Sequence, residues 1–292
     1  MKIRIGTRGS DLALKQVEIV SNYLRQSFDE IDIDIITITT TGDRIQDRYL
    51  KDIGGKGLFS NELEFALLNN KVDILVHSGK DLPSKTKEPF SISAVLPREI
   101  SNDIIILNKN IKFEDINLSG LVIGTSSSRR EYLIKKHFDN CSIKMLRGNV
   151  PTRLEKLRNE EYDAIILAYA GIARLDIDIS SFTSYILDID QFTPASCQGI
   201  IACEALKGSK YDSLLNKIND DRTMIMFECE RYFMELLNAD CHDQVGVNIS
   251  YLNNELLKIN AFYNGSDIKT LFTDIQNVKK DISIFSKEFI SE

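Results

Sequence analysis

Short apolar strands alternate with helical patterns through the first two-thirds of this chain, and the alternation begins twice. Residues 2–6 read as a strand, and Ser10 is placed to cap a helix running to about Phe28. Residues 32–40 alternate Ile with Asp or Thr, the period-two pattern of a strand. Phe59, Leu63, Ala66 and Leu67 recur at helical spacing, and residues 73–76 and 90–95 are strands again. After Pro97 the order restarts with strands at 103–107 and 121–124, a helix, a strand at 142–146, a helix opened by Pro151, and a strand at 163–168. Such alternation predicts parallel sheets with crossover helices. The two starts echo each other: Ile5-Gly6-Thr7-Arg8-Gly9-Ser10 and Ile123-Gly124-Thr125-Ser126-Ser127-Ser128 both pass from a strand through Gly-Thr into a helix. Two α/β domains presenting helix N-termini to a shared cleft account for the echo.

At 292 residues the chain exceeds one ordinary core. The last part differs in pattern: a helical stretch over about 220–237, strands at 245–250 and 257–263, then a helical stripe of Val278, Ile282, Phe285 and Phe289. We expect a small α+β third domain there. The divisions are 1–98 with 198–218, then 99–197, then 219–292. Residues 43–57 are polar, of mixed charge and punctuated by Gly, the composition of a mobile active-site lid.

Charge is unevenly spread. Residues 125–158 hold nine Lys or Arg and three acids, in a chain of formal net charge -7. Within that segment Arg129, Arg130, Arg147 and Arg153 stand at strand-to-helix junctions beside Gly, Ser or Asn, where open α/β sheets bind ligands. Helix N-termini and paired guanidinium groups both favour an anion there. Lys135, Lys136, Lys156 and Arg158 read instead as a solvated helix face. A basic pocket in an acidic protein predicts an anionic small molecule and argues against broad nucleic-acid binding.

Five cysteines with no C-x-x-C spacing and three scattered histidines predict neither a disulfide framework nor a metal site. The N-terminus has no apolar signal segment, and the longest apolar run, 164–173, falls short of the ~20 residues of a membrane span. The expectation is a cytoplasmic protein without membrane or nucleic-acid partners.

The remaining unusual segments, taken with the Arg motifs, match one family. They are Gly54-Gly55-Lys56-Gly57-Leu58-Phe59, Val76-His77-Ser78-Gly79-Lys80-Asp81-Leu82-Pro83, Ala168-Tyr169-Ala170-Gly171-Ile172-Ala173-Arg174-Leu175, Pro194-Ala195-Ser196-Cys197-Gln198-Gly199, and Glu230-Arg231 on a helix leading to Cys241. In this order they resemble the porphobilinogen deaminase (hydroxymethylbilane synthase) family over essentially the whole chain. The resemblance implies two α/β domains like those of periplasmic anion-binding proteins, plus a third carrying a cysteine. It also implies a transferase of tetrapyrrole, porphyrin and heme biosynthesis. Four porphobilinogen molecules lose ammonia and join head to tail, on a dipyrromethane cofactor held to the cysteine by a thioether, and water releases the product.

The resemblance assigns roles residue by residue. Asp81 is the catalytic carboxylate, which stabilises the cationic azafulvene left when ammonia departs. Cys241, in the polar loop Asn238-Ala239-Asp240-Cys241-His242-Asp243, carries the cofactor. Lys80, Thr125, Ser126, Ser127, Arg129, Arg130, Arg147, Gly148 and Gln198 contact the cofactor. Arg8, Ser10, Arg153, Ala168, Gly171 and Arg174 contact substrate. Each pyrrole ring carries an acetate and a propionate, so the growing chain needs guanidinium partners. A Lys80–Asp81 salt bridge is the plainer alternative for that loop. The chain departs from the family pattern with Ala239-Asp240 for Gly-Gly, Gln244 for Pro, Cys197 for Gly, Gly79 for Met, and Asp52 for a frequent Lys. A non-enzymatic anion-binding protein of the same fold, and a catalytically impaired relative, stay open as alternatives.

Overall fold

A computed structural model describes residues 1–44, 59–108, 111–112, 116, 120–240 and 243–290. The expected lid, apart from Asp43 and Arg44, and the residues Cys241 and His242 lie outside the described residues. In chain order the strands are β1 Lys2–Thr7, β2 Asp32–Thr37, β3 Ile74–Ser78, β4 Phe90–Val95, β5 Asp103–Leu107, β6 Val122–Gly124 and β7 Ser142–Lys144. They continue with β8 Ala164–Ala168, β9 Thr183–Ile186, β10 Ile201–Leu206, β11 Val245–Tyr251, β12 Leu256–Tyr263 and β13 Lys269–Asp274.

Two five-stranded sheets share one topology, β2-β1-β3-β10-β4 and β7-β6-β8-β5-β9. In each the first three strands are parallel, and the fourth runs antiparallel to both neighbours. The sheets are therefore mixed rather than all-parallel, as the alternation alone had suggested. The reason is topological. Both antiparallel strands, β5 and β10, are entered by a segment crossing from the other sheet, 96–102 in one direction and 187–200 in the other. The echoed glycines have a packing cause. A Cβ on Gly6 would stand 2.7 Å from Leu75 Cδ2, and one on Gly124 would stand 2.7 Å from Tyr162 Cδ1.

Helix starts follow their caps. Ser10 accepts from the Ala13 N–H ahead of helix Asp11–Ser27, Ser127 from Arg130 N–H ahead of Ser128–His137, and Asn149 from Thr152 N–H ahead of Val150–Arg158. Their apolar faces pack on the strands. Val17, Val20 and Leu24 cover Ile3, Ile5 and Ile74 in one core, while Leu133 and Ile134 cover Ile105, Ile123 and Ile166 in the other.

The third unit is the antiparallel sheet β11-β12-β13, covered by helices Asp221–Leu236 and Val278–Phe285. Strand β13, with exposed Phe272, escaped the sequence pattern. Phe233 anchors this core, with ring centroids 6.2 Å from Phe285 and 5.6 Å from Phe289. One carboxylate binds all three units together. Glu230, fully buried, accepts from Arg98 Nη1 at 2.6 Å, Cys197 N–H at 2.5 Å and Ile249 N–H at 2.7 Å. Both crossovers and β11 thus converge on it. Breaking such a buried pair on one side costs several kcal/mol, about 3–5.

Candidate active site

The cleft between the two large sheets holds a cavity of about 550 Å³. Among the described residues six Lys or Arg side chains line it (Arg8, Lys80, Arg130, Arg147, Arg153, Arg174) against three Asp (Asp11, Asp43, Asp81). Ser10, Gly148, Ala168, Gly171 and Gln198 line it as well. The expected clamp therefore assembles from both sheets: Arg8 and the Lys80–Asp81 turn follow β1 and β3, and Arg130, Arg153 and Arg174 follow β6, β7 and β8.

Asp81 sits on a single 3-10 turn, Gly79–Asp81, directly after β3. Among the described residues its ion-pair partner is Arg8, with Nη1 3.7 Å from Oδ2. Arg8 also pairs with Asp43 through Nη2 and Nε, and its guanidinium lies 4.2 Å over the Phe59 ring. Beneath the turn, His77 Nε2 and Glu204 Oε2 share a buried hydrogen bond of 2.9 Å that ties β3 to β10. Among the described residues Lys80 and Asp81 form no salt bridge, so the plainer reading of that loop is not what the structure contains.

Burial pushes the Lys80 ammonium down to about 8; Asp81 opposes the shift, and Arg130 and Arg153 add to it. Burial likewise lowers Arg153 to about 10, with Arg130 and Arg147 contributing, and Arg174 to about 10. Arg153 Nε donates to Gly148 O at 2.8 Å and Arg174 Nη2 to Gly199 O at 2.6 Å. Among the described residues neither has an ion-pair partner. Half-buried cations without a counter-charge gain from an anion placed beside them.

Arg129 and Arg130 have a partner that the sequence motif did not reveal. Asp103, fully buried at the head of β5, takes Arg129 Nη2 on one oxygen and Arg130 Nη2 on the other, each at 2.8 Å. Gln198 Nε2 adds a third bond at 2.9 Å. Burial alone would raise the Asp103 carboxyl, but the two guanidinium groups and these bonds outweigh it and hold it well below the usual carboxylate range. Arg129 Nη1 donates to Thr193 O and Arg130 Nη1 to Ile166 O. The signal available was a carboxylate opening an otherwise apolar, wholly buried strand, which demands a cationic partner.

Two expected contacts face elsewhere. Thr125 Oγ1 accepts from Ser127 N–H within its own turn, and Ser126 Oγ is bonded to the Leu146 backbone, donating to its O and accepting from its N–H, so both hydroxyls are engaged and line neither cavity. Ser127 and Arg129 line a second, smaller cavity of about 50 Å³ with Lys80, Cys197, Arg231, Ala239 and Asp240. That cavity opens beside the residues preceding Cys241. The Nε atoms of Arg129 and Arg130 are buried without a hydrogen-bond acceptor. Orphaned cationic donors of this kind fit the carboxylates of a dipyrromethane group.

The chain matches the family model described as porphobilinogen deaminase, dipyromethane cofactor binding domain, over residues 3–212. The chain belongs to the porphobilinogen deaminase family. It is 40% identical over 281 residues to the porphobilinogen deaminase of Acetivibrio thermocellus, covering 95% of this chain and 94% of that one. It is 44% identical over 261 residues to the probable porphobilinogen deaminase of Methanocaldococcus jannaschii, covering 89% and 87%. The porphobilinogen deaminase of Clostridium acetobutylicum is 36% identical over 291 residues, covering 100% and 96%. Among solved structures, the VFT2 domain of Bordetella pertussis BvgS overlays loosely, with a TM-score of 0.45 at 14% identity over 78% of this chain and 91% of that one. The fold is α/β, two sheets of the same strand order flanking a cleft, as expected for this family, with a small α+β unit beside them. No described helix is long and apolar enough to cross a membrane.

Proposed function

We infer that this chain is a hydroxymethylbilane synthase, a transferase that deaminates four porphobilinogen molecules and joins them head to tail into a linear tetrapyrrole. The observation that carries the reading is the excess of cations over carboxylates lining the cleft around Asp81, in a chain of this family. A cleft serving only to bind anions has no need of a carboxylate among those cations.

Arg129, Arg130, Lys80 and Gln198 would hold the dipyrromethane group, with Ser127, Arg147 and Gly148 beside them and Cys241 as its covalent anchor. When bound, that group supplies the pyrrole carbon on which the chain grows. Arg8, Ser10, Arg153 and Arg174 orient the acetate and propionate of incoming porphobilinogen, with Ala168 and Gly171 leaving room for the ring. As the C–N bond breaks, ammonia takes the electron pair and the pyrrole becomes a cationic azafulvene. Asp81 stabilises that charge, and Arg8 holds the carboxylate toward the cleft. The same reading includes three domains divided at 1–98 with 198–218, 99–197 and 219–292, a monomer, and a cytoplasmic location.

Intact mass and product analysis test this together. The purified chain should exceed its sequence mass by a two-pyrrole adduct, and porphobilinogen should be converted to hydroxymethylbilane with release of ammonia. Cys241→Ser should fold without adduct or activity. A folded wild-type chain with no adduct and no turnover would reduce the protein to an anion binder.

A further inference from the structure

The turn that carries Lys80 and Asp81 has few bonds of its own. Gly79 N–H donates to Ile200 O at 2.8 Å and Leu82 N–H to Gly79 O at 3.2 Å, and the chain then runs without regular structure to β4. The strongest grip on this loop comes from the C-terminal unit. Arg231, on helix Asp221–Leu236, donates from Nη2 to Pro83 O at 2.7 Å and Thr86 Oγ1 at 2.9 Å, and from Nε to Ser84 O at 3.1 Å. The side chain is nearly buried, and its guanidinium carbon lies 4.9 Å from the centre of the Phe227 ring, one turn back on the same helix. Among the described residues Arg231 has no ion-pair partner. Its donors are spent on two backbone carbonyls and a hydroxyl, an arrangement that suits a planar fork of donors better than an ammonium.

Position gives this grip a consequence. Arg231 lines the small cavity together with Lys80 on one side and Ala239 and Asp240 on the other. Its helix ends at Leu236, five residues before Cys241. The helix that leads to the anchor cysteine is therefore the same one that fixes the loop following Asp81.

We propose that Arg231 is a positioning residue for the deamination, holding the Lys80–Asp81 turn in register with the Cys241-bearing end of the C-terminal unit. The proposal rests on the reading of Asp81 as the reacting carboxylate. A displacement of that carboxylate by about 1 Å is enough to slow the reaction on the order of 10²-fold.

The test uses the full-length protein with Arg231→Lys, read by circular dichroism, intact mass, amide hydrogen exchange over residues 79–88 and steady-state kinetics. Arg231→Lys should fold and carry the adduct, exchange these amides roughly tenfold faster, and lose about 10²-fold in kcat with KM little changed. In an Asp81→Asn background the same change should add little, because both act through one group. Thr86→Val, which removes one of the three bonds and lies outside the cleft, should move exchange and kcat in the same direction by a smaller factor. It serves as the test if Arg231→Lys does not fold. Unchanged exchange, or a full additional loss in the Asp81→Asn background, overturns the proposal. Normal turnover by Asp81→Asn alone would remove the underlying reading of Asp81, while the exchange data would still report whether Arg231 orders the loop.

Discussion

Gly79 and Cys197 meet where the Asp81 turn touches the second crossover: a Cβ built on Gly79 would stand 3.1 Å from Cys197 Cβ and 3.2 Å from its carbonyl oxygen. At both positions the resemblance implies another residue, Met at 79 and Gly at 197. Cys197 also adopts φ +58, the left-handed region that favours glycine. The space a larger residue would enter at 79 is thus taken by the side chain at 197. We expect Gly79→Met to destabilise this chain through overpacking, by about 1–3 kcal/mol. Combined with Cys197→Gly it should recover much of that loss. Urea denaturation of the two single variants and the double variant gives the coupling, and strict additivity would contradict the steric exchange.

Asp103 should prove the most sensitive acidic side chain in the second sheet. Asp103→Ala leaves Arg129 and Arg130 buried against each other, a loss of about 3–5 kcal/mol in urea denaturation. The pH dependence has a definite sign. The folded-state pKa is depressed, so this stability is present above the ordinary carboxylate range and is lost as pH falls below it, under about pH 4. Arg130→Lys should lower adduct occupancy, since one ammonium cannot reach both Asp103 and Ile166 O while leaving a donor for a ligand.

Lys80 links anion binding to pH. With its pKa lowered to about 8, the site loses a positive charge as pH rises through that value. Porphobilinogen affinity, measured by calorimetry in Asp81→Asn protein to suppress turnover, should weaken between pH 7 and 9 with proton uptake on binding. Stability runs the opposite way. Between about 8 and the ordinary lysine value of 10.5 the unfolded chain binds the extra proton, so this group's contribution rises with pH. A Lys80→Met protein showing the same pH slope in affinity would place the titrating group elsewhere.

Asp81 separates binding from chemistry. Asp81→Asn keeps the shape and loses the charge, and should slow single turnover on the order of 10²–10³-fold while enzyme-bound pyrrole intermediates persist in mass spectra. Asp81→Glu should retain more activity. Parent-rate turnover by Asp81→Asn would end the catalytic assignment.

Local pattern determined much of this protein. The period-two runs, the cap at Ser10, the Pro151 that opens a helix, and the Gly-Thr echo are short-range features. They placed ten of the thirteen strands to within a few residues, because periodicity acts over one strand, but left β9, β10 and β13 unmarked. The same locality made the basic junctions at Arg129, Arg130, Arg147 and Arg153 legible as an anion site. Tertiary structure decided what no local pattern encodes. The antiparallel direction of β5 and β10 follows from two crossovers, separated by nearly a hundred residues. Asp103 as counter-charge to Arg129 and Arg130, Glu230 as the junction of three units, and Arg231 on the Pro83–Thr86 loop are pairings of groups 19 to 148 residues apart. A buried charge must find a partner, but sequence separation says nothing of which one. That choice is made by the crossovers, which carry β5 and β10 into the opposite sheets and bring those side chains within hydrogen-bonding distance.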